Sequence, residues 1–261
     1  MKKLAISLFS VFVFALAGVV PAQAQDEAPN LVSVGAFTAA PAQSAQLAEV
    51  IGKVAGAANE SNIDAKFAWN VFQQGNTFHI VSWPENWATF DEGGAMWAAI
   101  MEGPGQAGAQ EAMAAYEELW VTTESQMLGH VEEWSYFPET EMPDDDISGV
   151  VVFQSWVRPG MNDEFSENTA SVMALVKEMG FPYPIYGHRT LMGEENQVMF
   201  VVVHDGLSNF YGDKSFGQFI EASGMGEKWA ELFEARNGMI YRSDNYQAGW
   251  RKDLSFQPEG N

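Results

Sequence analysis

The chain has 261 residues, with 35 acidic and 13 basic side chains, a formal net charge of -22 and no cysteine. The missing cysteine excludes a disulfide framework, thiolate metal sites, iron–sulfur clusters and a catalytic thiol. The acid excess excludes the basic patch that a polyphosphate partner needs, so no nucleic acid is expected.

Hydrophobic residues make up 47% and aromatic residues 13% of the chain, ample for a buried core. Lys2 and Lys3 precede an almost uninterrupted apolar run from Leu4 to Val20, followed by Pro21 and Ala22-Gln23-Ala24. A basic start, an apolar stretch and a small-residue cleavage site predict a secretory signal peptide over 1–24. The mature chain is then expected in the periplasm or the medium, with no membrane association after cleavage.

Downstream the sequence reads as two copies of one unit, over 25–137 and 149–261. Leu31–Thr38 is an apolar strand followed by Pro41 and a helix; Val150–Val157 is another, followed by Pro159-Gly160 and a helix. FHIVSWPENWATFDE at 78–92 parallels MFVVVHDGLSNFYGD at 199–213, with Phe90 and Phe210 near the same place. Glu118-Leu119-Trp120 parallels Glu231-Leu232-Phe233. The copies end alike, in Ser135-Tyr136-Phe137-Pro138 and Ser255-Phe256-Gln257-Pro258. Chance matches do not keep order and spacing across four elements. Residues 138–148, PETEMPDDDIS, carry five acids and two prolines with little to bury, which predicts a linker. Asp144–Asp146 lack the spaced ligands and glycine of a calcium loop and read as solvated.

In the second copy the predicted order is strand 149–157, helix 163–179 and strands Ile185–Met192 and Val198–His204 around a hairpin at Gly193–Gln197. A broken helix over 206–211, 215–222 and 227–241 follows, with a last strand inside Gln247–Phe256. Phe165, Val172, Leu175, Val176 and Met179 recur at helical spacing, and Gly180 ends the helix. Strand, helix, strand, strand, helix, strand is the split βαβ, ferredoxin-like plan: an α+β chain of two tandem domains.

SWVRPGMNDEF at 155–165 and FVVVHDGLSNFYGD at 200–213 resemble the first strand and helix, and the third strand and following helix, of the dimeric α+β barrel superfamily, which includes the antibiotic-biosynthesis-monooxygenase-like and NIPSNAP-like domains. The resemblance implies that two sheets pair face to face within one chain, as a pseudo-dimeric barrel. It also implies that a ligand sits between sheet and helices. The uncovered sheet face here is rich in apolar and aromatic residues, which agrees with such burial.

Four histidines are the candidates for chemistry. His79 and His188 lie inside predicted strands, His204 ends one, and His130 is placed near the start of the first copy's last strand. None is repeated: His79 aligns with Phe200, His204 with Trp83 and His188 with Ala68. Alternation puts Tyr186, His188 and Thr190 on one strand face and Arg189 on the other. His188 and His79 are the candidate acid/base residues or haem ligands. Trp69, Gln154, Trp156, Tyr186 and Thr190 are the candidate ligand contacts. Gly103–Gly108 matches GxGxxG only formally, since it opens no βαβ unit, and Glu194-Glu195 sits in a hairpin turn. The leading expectation is binding of a small apolar or aromatic molecule. The alternatives are a cofactor-independent monooxygenase- or isomerase-like enzyme, and a haem-binding protein. Whether the chain is an enzyme, and whether it forms homo-oligomers, stays open at this point.

Overall fold

A computed structural model describes residues 30–116 and 118–258, so the predicted signal peptide lies outside the described residues. The strands are β1 (Leu31–Ala39), β2 (Trp69–Gln74), β3 (Thr77–Ser82), β4 (Trp120–His130), β5 (Gly149–Val157), β6 (Ile185–Met192), β7 (Gln197–His204) and β8 (Ile240–Trp250). The helices are α1 (Ser44–Glu60), α2 (Ala88–Glu102), α3 (Gln106–Tyr116), α4 (Asn162–Met179), α5 (Leu207–Tyr211), α6 (Phe216–Ser223) and α7 (Gly226–Met239).

The strands are hydrogen-bonded in the closed order β1-β3-β2-β8-β5-β7-β6-β4. Each copy therefore has the same internal order: last strand, first, third, second. The last strand of each copy also pairs with the second strand of the other, as β2 with β8 and β4 with β6, both antiparallel. The tails exchange too: Tyr136 bridges Ile185 and Phe256 bridges Trp69, which explains why Ser-aromatic-x-Pro closes both copies. The fold is the α+β architecture expected, an eight-stranded closed antiparallel barrel of two ferredoxin-like repeats.

By compactness the chain divides into two interleaved units. One takes the described residues up to Asn70, Ile80–Ser125 and Lys252 onward; the other takes Val71–His79 and Gln126–Arg251. The first unit packs α1 against α2 and α3 through small side chains. Ala55, Ala57, Ala58 and Ala109 are buried with Ile63, Ile100 and Phe256, while Trp69 and Trp97 pack against them. In the second unit, α4 lies on the sheet. Its Phe165, Val172, Leu175 and Val176 bury against Val151, Val157, Val198, Phe200 and Val202. Asp163 and Glu164 in its first turn and Lys177 in its last suit the helix dipole. Gly180 adopts φ 64° and donates back to the carbonyls of Val176 and Lys177, a left-handed cap that glycine takes without strain.

Three sequence readings need correction. β8 starts at Ile240, not Gln247, and the helix before it ends at Met239. Its outer residues are nearly all exposed, so no apolar alternation marks the strand; pairing with β5 along its whole length defines it. His130 ends β4 instead of standing near its start. Leu119-Trp120 turns into β4, whereas Leu232-Phe233 lies within α7, so that sequence match is not a structural one. Gln106 begins α3, so the formal glycine motif is a turn leading into a helix, and Gly108 is helical.

Candidate functional site

The sheet of the second unit has two distinct faces. Val151 and Val157 of β5, Ile185 of β6 and Val198, Phe200 and Val202 of β7 form the face packed on α4. Alternation then turns Gln154 and Trp156, Tyr186, His188 and Thr190, and Met199 and Val201 to the other side. Register confirms the set: Gln154 stands opposite Met199 and Asp244, Trp156 opposite Gln197 and Arg242, and His188 opposite Met199 and His130. Five of the seven candidate residues named from sequence therefore share one sheet face, the face away from α4.

Their environments differ. Trp156 is 3% exposed, and the Arg242 guanidinium lies 3.9 Å from its ring centroid. His188 is 5% exposed and its Nδ1 has no partner. Burial lowers its pKa to about 4, and the neighbouring His130 ring pushes the same way. The Tyr186 hydroxyl is pushed up by burial and by Glu141 and Asp144. The remaining two candidates lie elsewhere in the sequence. His79 stacks on Tyr246 with centroids 4.9 Å apart and planes 11° apart. Burial lowers its pKa to about 4 as well, and its Nε2 is unpartnered. Trp69 serves packing in the first unit: its Nε1 donates to the Leu254 carbonyl at 3.3 Å and its ring rests 4.9 Å from Phe256. His204 is buried and accepts the Gly206 N–H on Nδ1 at 3.0 Å, which fixes the turn out of β7.

A cleft of about 900 Å³ opens on the α4 side of this sheet. Its walls are the first turns of α4, the β6–β7 hairpin and the short helical turn Glu132–Trp134. Trp134 and Phe165 pack edge to face at 5.8 Å and, with Val131 and Val198, give it an apolar floor. The Trp134 indole N–H donates to Ser166 Oγ at 3.1 Å, which locks that ring. Arg236 of α7 stacks on Phe165 and Phe200 at 4.9 and 4.6 Å without lining the cleft. The rim is acidic: Glu133, Asp163, Glu167, Glu194 and Glu195 stand there with one lining cation, Arg189. Glu194 also pairs with Arg242 at 3.4 Å.

Of the candidates named from sequence, Thr190 alone reaches this cleft, at the β6–β7 hairpin end of its strand, although alternation turns its side chain to the other face. Sequence reasoning missed Trp134, Phe165 and Ser166 as cleft residues and set aside Glu194-Glu195 as a turn. They are in a turn, and the turn forms the rim. The one available sequence cue was the second copy's Leu254, which aligns with Trp134 at the end of a matching helical turn. An aromatic in one copy where the other has leucine marks a position where the repeats diverge. No histidine lines the cleft, so a histidine-ligated haem does not fit it.

No protein-family model matches the sequence. No curated protein matches it either. Solved structures do match in fold. A candidate monooxygenase from Fusobacterium nucleatum aligns with a TM-score of 0.52 at 11% identity, over 89% of this chain and 96% of its own. A candidate monooxygenase from Lactobacillus acidophilus aligns with a TM-score of 0.53 at 11% identity, over 88% of this chain and 96% of its own. At such identity the likeness establishes the fold alone, the dimeric α+β barrel that the sequence resembles.

Proposed function

We propose that the chain binds a small molecule with an apolar or aromatic body in the cleft between α4 and the β6–β7 hairpin. The observation that carries this reading is the cleft itself: about 900 Å³, with an aromatic floor and a polar rim. Small-molecule sites commonly measure about 300–1,000 Å³ and combine those two features. The acidic rim adds a preference of charge. With five carboxylates facing one lining arginine, a cationic or neutral head group is favoured and an anionic one is repelled.

The superfamily's ligand position between sheet and helices supports the same reading by analogy. An acid/base role for His188 in this cleft gains no support, because His188 is not among the residues that line it. The N-terminal sequence supports export, so the site would work outside the cytoplasm. Among the described residues no helix is long and apolar enough to cross a membrane.

Ligand-observed NMR with benzylamine and benzoate tests the reading on the mature chain. Benzylamine is expected to bind and benzoate to bind far more weakly. Ala170→Trp, which fills the cleft from α4, is expected to abolish benzylamine binding while leaving the melting temperature unchanged within a few degrees. Equal binding by wild type and the filled variant overturns the proposal.

A further inference from the structure

On the opposite sheet face, two histidines from different copies meet. His130 ends β4 and stands directly across from His188 in the β4–β6 register. Their ring centroids are 5.4 Å apart, with planes at 64°. This pair takes no part in the cleft described above, and it depends on no ligand being bound there.

The hydrogen bonds around the pair settle which nitrogen of His130 carries the proton. Ser135 Oγ donates to the Val131 carbonyl at 2.9 Å and accepts the Gly187 N–H at 2.9 Å. A hydroxyl has one proton, and here it is spent on Val131. Toward His130 Nε2, at 3.4 Å, Ser135 can therefore only accept. His130 carries its proton on Nε2, which leaves Nδ1 as the lone pair. In His188, Nδ1 is buried without a partner. His130 is thus anchored through Nε2 by Ser135, and His188 presents an unpartnered Nδ1 beside it.

We propose that His130 and His188 form a two-imidazole site, through their Nδ1 atoms, for a late first-row transition-metal cation. Metal-ligating histidines characteristically donate the second ring N–H to a carbonyl or hydroxyl group, which fixes the tautomer and aims the other nitrogen at the metal. His130 already shows that arrangement through Ser135. Imidazole donors suit copper, nickel and zinc and not magnesium or calcium, and affinity should peak at copper. Among the described residues no cluster of three or more histidine and carboxylate ligands surrounds the pair. Water, or the Tyr186 phenol whose ring lies 6.2 Å from His130, would complete the coordination.

Equilibrium dialysis and electron paramagnetic resonance of the mature chain with Cu²⁺, Zn²⁺ or Mg²⁺ test the proposal. One Cu²⁺ per chain is expected, with hyperfine structure from two imidazole nitrogens, weaker binding of Zn²⁺, and none of Mg²⁺. His130→Gln is the informative variant, because His130 is half-buried at a strand end and its replacement should fold. It is expected to lose the two-nitrogen signature and to weaken binding roughly 100-fold. Ser135→Ala, which removes an anchor of the ligand, is expected to weaken it by about 10- to 100-fold. His79→Phe, on a histidine outside the pair, should change nothing. The proposal is overturned if wild type binds no Cu²⁺, or if the signature survives in His130→Gln. Loss of the signature in His79→Phe alone would overturn it too.

Discussion

His79 and His188 should make the second unit sensitive to mild acid. Each imidazole titrates near 6.5 when unfolded, and burial holds each at about 4 in the folded chain. Between those values the unfolded state binds a proton that the folded state refuses, so stability falls as pH falls from 6.5 toward 4 and is fully present above 6.5. Integrated from pH 7 to pH 5, each histidine removes about 2 kcal/mol, and the two together about 4 kcal/mol. The surface charge acts in the opposite direction, because protonating some of the 35 acidic groups relieves repulsion in a chain of net charge -22. The informative quantity is therefore a difference. Urea unfolding, followed by far-ultraviolet circular dichroism at pH 7 and pH 5, compares wild type with His79→Phe/His188→Met. The variant should keep about 4 kcal/mol more of its pH 7 stability on acidification than wild type does. His79→Phe alone should keep half of that, which covers the case in which the double variant folds poorly. Parallel behaviour within about 1 kcal/mol would refute the claim that these imidazoles are held neutral by burial.

Two further outcomes follow from packing and hydrogen bonding. A Cβ at Gly187 would lie 2.4 Å from Trp134 Cβ and 2.5 Å from its carbonyl oxygen, contacts with backbone that no rotamer relieves. Gly187→Ala should cost about 3 kcal/mol or more and disturb the Trp134 ring that floors the cleft, seen as a lower urea midpoint and weaker benzylamine binding. Tyr183 is 1% exposed, and its hydroxyl donates to Asp205 Oδ1 at 2.6 Å, the carboxylate that also pairs with Lys214 at 2.5 Å. Tyr183→Phe should cost about 1.5–3 kcal/mol, the range for a buried bond to a charged partner, without affecting the cleft; an unchanged melt would count against that network.

The repeat, the strand faces and the fold class were legible because they rest on local patterns. β6 begins and ends where Ile185 and Met192 were read, since an apolar alternating run with a glycine hairpin after it leaves little choice. Alternation on each strand separately paired Gln154 with Trp156 and grouped Tyr186, His188 and Thr190, but that the two sets share one sheet face appears only in the register of β5, β7 and β6. What stayed hidden depends on chain segments far apart in sequence. β8 has almost no buried side chain over Tyr241–Asn245, and the partner strand β5, not hydrophobic pattern, makes it a strand. His130 meets His188 only because the last strand of one copy pairs with the second strand of the other. The cleft needs Trp134, Ser166 and Glu194 together, from three segments whose closeness no local pattern encodes.

The central proposal is that the cleft beside α4 binds a small molecule with an apolar or aromatic body and a cationic or neutral head group, for which an aromatic amine is the probe. Its most direct test is a crystal of the mature chain soaked with 4-bromobenzylamine and measured at the bromine edge. The account predicts one anomalous peak above Trp134 and Phe165, between Ala170 and the β6–β7 hairpin, with the amine toward the acidic rim. A peak on the opposite sheet face, or no peak at a concentration that saturates the signal in solution, would contradict it.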